Sequence, residues 1–195
     1  ISMQDYCKEL TEVLVVDSSD DETARIAENW VKKAEDPRIK VVKQSKREGK
    51  AHALNLVLKS VSGEILVMAD ADASWPRNAL TEAVRWLSDP KVGAVSCLKK
   101  PLSRGPAGIE EGYRRYYNRL RLAESKAFAT PIFHGELAAF RKDLLLRIGG
   151  FPENLGADDS HTATRIASMG YRAITPDTLW CEEAVPKKKS YFSWR

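Results

Sequence analysis

Apolar residues recur in short runs along the first half of the chain, and each run is bounded by polar or turn-forming residues. Such runs, rich in valine, isoleucine and leucine, are typical of strands that are buried on both faces of a sheet. They predict four strands, at residues 12–17, 38–42, 64–69 and 92–96.

The stretches between these strands have helical spacing. Residues 19–22 read Ser-Asp-Asp-Glu, a capping box that predicts a helix running to about Ala34. In residues 54–61, and again in 80–87, apolar side chains recur at the spacing of an amphipathic helix. Because strands and helices alternate through short connections, the sequence predicts an α/β fold with a mostly parallel sheet flanked by helices.

The second half of the chain is less regular. Residues 102–108 are rich in glycine and proline and predict a loop, and Gly149-Gly150 predicts the end of a helix. The final residues, 186–195, form a basic and aromatic tail. The elements predicted between these points are helices at 109–126, 142–148 and 158–169 and a strand at 137–140.

Composition narrows the classes of protein. With 195 residues, 43% of them hydrophobic, the chain can bury one substantial core. Its net charge of +4 suits an anionic small ligand or a membrane surface, and is too dispersed to indicate nucleic acid. The three cysteines lack metal-site spacing and predict neither zinc nor a disulfide framework, which favours a reducing, cytosol-facing compartment.

Two of the predicted strands end in aspartate. Asp17 ends the first strand, and Asp70-Ala71-Asp72 ends the third. Because ligands of open parallel sheets bind at the carboxyl ends of the strands, we expect these carboxylates to converge on one edge. Alternate carboxylates in a tight loop can hold one divalent cation that bridges phosphates. The alternative is a capping or turn pair before Trp75.

Five sequence blocks, in order, resemble those of family 2 glycosyltransferases. They include EVLVVDSSDDET, a Gly-Lys segment followed by Ala-Leu-Asn, MADAD, and an Asp-Asp pair where the family usually has Glu-Asp. Together they cover roughly residues 12 to 186, and their order makes the match specific although each block is weak. The blocks lie at residues 12–23, 47–55, 68–72, 134–151 and 156–172.

The resemblance implies a GT-A fold and a nucleoside-diphosphate sugar as donor, such as a UDP- or GDP-sugar. It implies that Asp17 holds the base or ribose, that Lys50 lies near the base or diphosphate, and that Asp70 contacts the ribose or the water shell of the metal. Asp72 would ligate Mg²⁺ or Mn²⁺, which offsets charge on the leaving diphosphate. For Lys50 the alternative is a solvated loop lysine.

The resemblance also implies the transfer step. Asp159 would be the general base that deprotonates the acceptor hydroxyl in a single displacement with inversion, and Asp158 precedes it in the same motif. The alternative for both aspartates is N-capping and complementation of the helix dipole. The acceptor would be a glycan or a polyprenyl lipid, including a lipid phosphate.

The same resemblance shapes the predicted organisation of the chain. Family members begin with a strand and a Pro-x-Tyr-Asn turn that would precede this chain, so we predict an N-terminally truncated catalytic domain at 1–185 and a tail at 186–195. The tail is interpreted as a membrane-facing end or as an ordinary disordered terminus. A cytoplasmic location, at the cytoplasmic face of the membrane if the tail binds there, follows from this interpretation.

Alternative interpretations stay open for one helix, for the function of the whole chain and for the histidines. The arginine- and tyrosine-rich helix at 109–126 is either an acceptor or lipid-phosphate surface or a solvated basic face, the latter favoured. The whole chain is alternatively a sugar-phosphate nucleotidyltransferase, or a non-enzymatic scaffold with a nucleotide-binding fold. The isolated histidines, His52, His134 and His161, are interpreted as packed or solvated side chains, and the alternative is a metal-binding role for His134 or His161.

Overall fold

The computed structural model describes residues 3–102 and 108–185. Every strand and helix predicted from the hydrophobic pattern is present, with bounds shifted by a few residues at most. The strands are β1 (Val13–Asp17), β2 (Ile39–Lys43), β3 (Ile65–Met68), β4 (Val92–Ser96), β5 (Leu98–Pro101), β6 (Ala138–Arg141), β7 (Arg172–Ile174) and β8 (Trp180–Glu183). The helices are α1 (Thr23–Ala34), α2 (Lys50–Leu58), α3 (Ala79–Leu87), α4 (Ile109–Ala127), α5 (Lys142–Arg147) and α6 (Asp158–Ser168).

The strands form three hydrogen-bonded ladders. β1 and β2 pair in parallel, as do β5 and β8. The central four-stranded sheet has the order β3-β6-β4-β7, in which β6 runs antiparallel to both β3 and β4 while β4 and β7 are parallel. Three of the five strand pairs in the described residues are therefore parallel, and the predicted α/β fold with parallel strands and flanking helices is confirmed. In the central sheet itself, β6 makes two of the three pairs antiparallel.

The core has one layer on each face of the central sheet. Alternation along β4 shows the division, because Ala94 packs with the helices α5 and α6 on one face and Val95 packs with α3 on the other. Phe140 and Ala139 of β6 divide in the same way. Cys97 and Cys181 lie in the second layer, where the two free thiol sulfurs are 2.8 Å apart although 84 residues separate them in sequence.

The predicted capping box at the start of α1 is wrong. Glu22 occupies the N-cap position and makes no side-chain capping bond, and Ser19 instead donates its hydroxyl to the carboxylate of Asp17 at 2.8 Å. Asp21 accepts a hydrogen bond from the backbone N–H of Thr23 at 2.9 Å. The carboxylate that ends β1 outcompetes the helix for Ser19, because the two residues are only two positions apart in a tight turn.

A single asparagine joins α2 to the turn that follows α5. The amide of Asn55 donates to the carbonyl of Phe151 at 2.8 Å and accepts from its N–H at 2.8 Å. Gly149 and Gly150 both have positive φ, 83° and 87°, and a Cβ on Gly150 would lie 2.4 Å from Oδ1 of Asn55. The glycine pair therefore ends the helix, as predicted, and Gly150 also leaves room for the Asn55 amide, whose two hydrogen bonds to Phe151 we call the Asn55 clamp.

Candidate active site

Three elements bring polar groups together around Gly135, in the segment that leads into β6. A Cβ placed on Gly135 would lie 2.6 Å from Nζ of Lys50 and 3.4 Å from both Oδ2 of Asp159 and Cε of Met68. Lys50 is the first residue of α2, Met68 ends β3, and Asp159 is in the first turn of α6. Because Gly135 has no side chain, the ammonium of Lys50 and the carboxylate of Asp159 can both approach the position that its Cβ would occupy.

Lys50 forms an ion pair with Asp70, the first acidic residue after β3. Both side chains are about one-third exposed, at 39% for Lys50 and 34% for Asp70. Lys50 is therefore the first residue of a helix and not a loop lysine, and its partly exposed side chain connects the end of β3 to the neighbourhood of Asp159. Its role at a base or diphosphate stays a prediction.

Asp72 is exposed, and within the described part of the chain its side chain has no hydrogen-bond or ion-pair partner. Its loop is nevertheless anchored on both sides. The N–H of Ala73 donates to the carbonyl of Asp70 at 3.1 Å, and the carbonyl of Ser74 accepts from the N–H of Glu182 in β8 at 2.9 Å. The indole N–H of Trp75 donates to the carbonyl of Glu136 at 2.8 Å. Asp72 is thus presented to solvent by a well-supported loop.

Asp158 and Asp159 open α6 but do not cap it through their side chains. The N-cap is Ala157, which has a φ of 55°, and Oδ1 of Asp159 accepts from the N–H of Ser160 at 2.7 Å. Burial raises the pKa of Asp159, and the charge of Asp158 raises it further, against the lowering effects of the Ser160 N–H and of Lys50. Oδ2 of Asp158 is buried without a hydrogen-bond partner among the described residues.

Asp17 lies at the end of β1, half-buried, with its carboxylate held by the hydroxyl and the N–H of Ser19. Its carbonyl accepts from the N–H of Gln44 after β2 at 2.8 Å. β1 and β3 belong to different ladders, and no hydrogen bond or ion pair within residues 3–102 and 108–185 joins Asp17 to Asp70 or Asp72. The convergence of Asp17 with the other two aspartates stays a prediction.

A cluster of buried cations, missed by the sequence analysis, lies near His134 and Glu136, the two residues that flank Gly135. Arg114 and Arg121, on one face of α4, are each only 6% exposed, so these two do not belong to a solvated basic face. Lys99 of β5 is also buried and pairs with Glu136. The sequence held one signal of this shared environment, because the seven-residue spacing of the two arginines places them on the same face of the helix.

The effect of this cluster is visible at His134. Nε2 of His134 is buried and has no hydrogen-bond partner in the described residues. Burial, together with the charges of Arg121, Lys99 and Arg114, lowers the pKa of His134 to about 2. The imidazole is therefore neutral throughout the physiological range, in agreement with its interpretation as a packed histidine.

A divalent cation fits this site only if the donor completes its coordination. Among the described residues, no group of three or more histidine, cysteine, aspartate or glutamate side chains is arranged to hold a metal ion. Mg²⁺ and Mn²⁺ at phosphate sites commonly use one or two carboxylates and take their remaining ligands from phosphates and water. The unpartnered, exposed Asp72 is suited to that role, whereas Asp70 is already paired with Lys50.

Comparison with known proteins identifies the class. Residues 2–149 match the model of the family described as Glycosyl transferase family 2. The structure superimposes with a TM-score of 0.88 on a mannosyltransferase from Pyrobaculum calidifontis, solved in complex with GDP-Man and Mn²⁺, which is 54% identical over 99% of this chain. The chain therefore belongs to glycosyl transferase family 2 and has the GT-A fold that the sequence blocks implied.

Curated relatives share the same region at lower identity. The catalytic subunit of a UDP-forming cellulose synthase from Pseudomonas fluorescens is 31% identical over 63% of this chain. A beta-monoglucosyldiacylglycerol synthase from Synechocystis is 28% identical over 83% of it. The chain spans 18% and 35% of those two relatives and 53% of the Pyrobaculum protein. None of the described helices combines the length and the apolar character needed to cross a membrane.

Proposed function

We propose that this chain is the catalytic domain of an inverting, metal-assisted glycosyltransferase that takes its sugar from a nucleoside-diphosphate donor. The observation that carries the proposal is the meeting of Lys50, Asp70 and Asp159 around Gly135. The donor-side acid Asp70 pairs with Lys50, and the half-buried Asp159, whose pKa is raised, lies close to the same ammonium group. A candidate donor contact and a candidate base are thus brought together at one lysine.

The donor side consists of residues from β1, α2 and the loop after β3. Asp17 accepts hydrogen bonds from the base or ribose, and Asp70, oriented by Lys50, contacts the ribose or the water shell of the metal. GDP-mannose is the donor to test first, because the 54% identical Pyrobaculum protein was solved with GDP-Man and Mn²⁺.

Asp72 is the residue that holds the divalent cation. When bound, such a cation neutralises the charge that develops on the leaving diphosphate. Asp72 offers its carboxylate without having to break an existing interaction, since it has no partner in the described residues. Its anchored loop fixes the position of that carboxylate with respect to Asp70.

Asp159 acts as the general base. Its carboxylate removes the proton of the acceptor hydroxyl as the oxygen attacks the anomeric carbon, and the bond to the diphosphate breaks on the opposite face of the sugar. Burial raises the pKa of Asp159 and makes it a stronger base than an exposed aspartate, while the Ser160 N–H fixes its orientation. Lys50 opposes part of that rise in pKa, which favours the ionised form that a general base requires.

Two matched aspartate substitutions test these roles. We expect Asp72→Asn to abolish Mn²⁺-dependent GDP binding in isothermal titration, and Asp159→Asn to leave that binding intact while transfer from GDP-mannose falls by about 10²–10⁴-fold. Titration of UDP in parallel identifies the base. Normal binding and turnover in both variants would show that the site is misassigned, and release of pyrophosphate instead of a nucleoside diphosphate would indicate a nucleotidyltransferase.

A further inference from the structure

A cationic groove runs between β5 and one face of α4. Its volume is about 310 Å³, and it is lined by residues of the two elements: Lys99, Lys100, Pro101, Glu111, Arg114, Arg115, Asn118, Arg119 and Leu122. Five of these nine side chains are cationic and one is acidic. Two of the five cations are already paired with carboxylates, Lys99 with Glu136 and Arg114 with Glu110. The positive charge that the groove offers to a ligand therefore comes from Lys100, Arg115 and Arg119.

Arg115 and Arg119 are the two exposed guanidinium groups of this groove. They lie four residues apart, hence one above the other on the same helix face, and like charges at that spacing repel. Within residues 3–102 and 108–185 neither of them has a carboxylate partner. On the opposite wall, Nζ of Lys100 lies 3.6 Å from the ring centroid of Trp180, which holds this ammonium in place.

The groove is linked to the segment that contains Gly135 through one ion pair. The wall formed by β5 is tied to α4 where the amide of Asn118 donates to the carbonyl of Lys99 at 2.9 Å. The side chain of Lys99 pairs with Glu136, the residue next to Gly135. The groove wall thus contacts the residue that follows Gly135, beside which Lys50 and Asp159 lie.

We propose that this groove is a subsite for a phosphoryl group carried by the acceptor, gripped by Arg115 and Arg119 with Lys100 opposite. Planar guanidinium groups match the tetrahedral oxygens of phosphate with paired donors, and two of them one turn apart span such a group. A groove of this size admits a phosphorylated sugar or a lipid headgroup and is too small for a nucleic acid duplex. The assignment of the ligand to the acceptor rests on the proposed function.

The first test uses inorganic phosphate as the probe. Melting temperatures of the chain are measured in sodium phosphate and in sodium chloride of equal ionic strength, without divalent metal, for wild type, Arg115→Gln/Arg119→Gln and Lys32→Gln/Lys33→Gln. The control pair removes the same charge from the exposed end of α1. We expect phosphate-specific stabilisation in wild type and control, and an apparent affinity about tenfold weaker in the arginine variant. Equal stabilisation of all three proteins would overturn the proposal.

A second arm identifies the source of the phosphoryl group. Co-sedimentation with phosphatidylcholine vesicles containing phosphatidic acid, competed by inorganic phosphate and lost in the arginine variant, would assign it to a lipid. Absence of vesicle binding with the phosphate effect intact would assign it to a soluble acceptor. Vesicle binding weakened equally by the lysine control would reveal general charge attraction and contradict a built subsite.

Failure of this inference is distinguishable from failure of the proposed function. If the wild-type chain binds GDP with Mn²⁺ but shows no phosphate effect that depends on Arg115 and Arg119, the donor site stands and only the groove proposal fails. If the wild-type chain shows the phosphate effect but binds no nucleotide, the groove proposal stands and the glycosyltransferase proposal fails.

Discussion

The ammonium group of Lys50 connects carboxylates that come from opposite halves of the chain. It pairs with Asp70 after β3 and lies beside Gly135 together with Asp159 of α6. Its charge therefore acts on two proposed steps at once, because it orients a donor-side acid and lowers the pKa of the proposed base.

Replacement of Lys50 by methionine should move the acid limb of the pH–rate profile to higher pH. The reason is that activity requires ionised Asp159, whose pKa is already raised by burial, and removal of a lowering charge raises it further. Activity should thus decline earlier as pH falls, with a higher KM because Asp70 also loses its partner. The measurement is kcat/KM for GDP-mannose between about pH 4 and 8.

The control for this profile is Lys59→Met, at the other end of α2, where the side chain is exposed. That variant should keep the wild-type acid limb. An acid limb that does not move in Lys50→Met would mean that Asp159 is not the group whose ionisation controls the rate.

Several residue-level features were within reach of the sequence and others were not. Gly149-Gly150 as a helix stop and the aspartates that end β1 and β3 follow from local patterns. The pairing of Lys50 with Asp70, and the burial of Arg114 and Arg121, depend on which elements pack together. Local periodicity carries no information on such long-range partners, and it favours solvent for any arginine.

At the scale of elements, the central sheet depends on β6. This strand separates β3 from β4 and runs antiparallel to both, so that Ala138 pairs with Met68 on one side and Ser96 on the other. The sequence predicted the strand but not its neighbours. The strands β5, β7 and β8 were not predicted. In β5, Leu98-Lys99-Lys100-Pro101 is a poor strand sequence that becomes extended through its pairing with β8.

The turn after α5 supplies a matched pair of glycine substitutions. Gly149→Ala should cost about 1–2 kcal/mol of unfolding free energy, because its φ of 83° is unfavourable for alanine while the space around it is open. Gly150→Ala has the same backbone problem and adds a Cβ 2.4 Å from Oδ1 of Asn55, so it should cost at least about 1 kcal/mol more. Urea denaturation of both variants measures the difference.

A double-mutant cycle separates the cost of the clash with Asn55 from the cost of the backbone strain at Gly150. In an Asn55→Ala background the extra cost of Gly150→Ala over Gly149→Ala should disappear, because the clashing oxygen is gone. Persistence of the full difference in that background would show that something other than Asn55 limits the space at Gly150.

On the scale of the whole molecule, packing is uneven. All five residues of β4 are buried, whereas Ile39 is the single buried residue of β1 and β2 together. The helix that covers those two strands, α1, buries only Ala24 and leaves Ile26 63% and Trp30 50% exposed. Regions with little buried apolar surface open at lower free energy than the core.

Amide hydrogen exchange should therefore be faster in β1 and β2 than in β4 and β6. If Asp17 binds the nucleotide, saturation with GDP and Mn²⁺ should slow exchange around residue 17 while leaving β6 unchanged, because ligand binding stabilises the region it contacts. Exchange followed by mass spectrometry of peptides measures both effects. Protection of β6 alone would place the nucleotide away from β1.

The position of β6 has a consequence for folding during synthesis on the ribosome. β3 and β4 have no hydrogen bonds to each other, so both must wait, with their edges open, until Arg141 has been synthesised. The local β1-α1-β2 unit, by contrast, can pair as soon as Lys43 emerges. A nascent chain stalled between α3 and β6 would thus expose two apolar strands with unpaired edges, which favours aggregation or binding by chaperones during this interval.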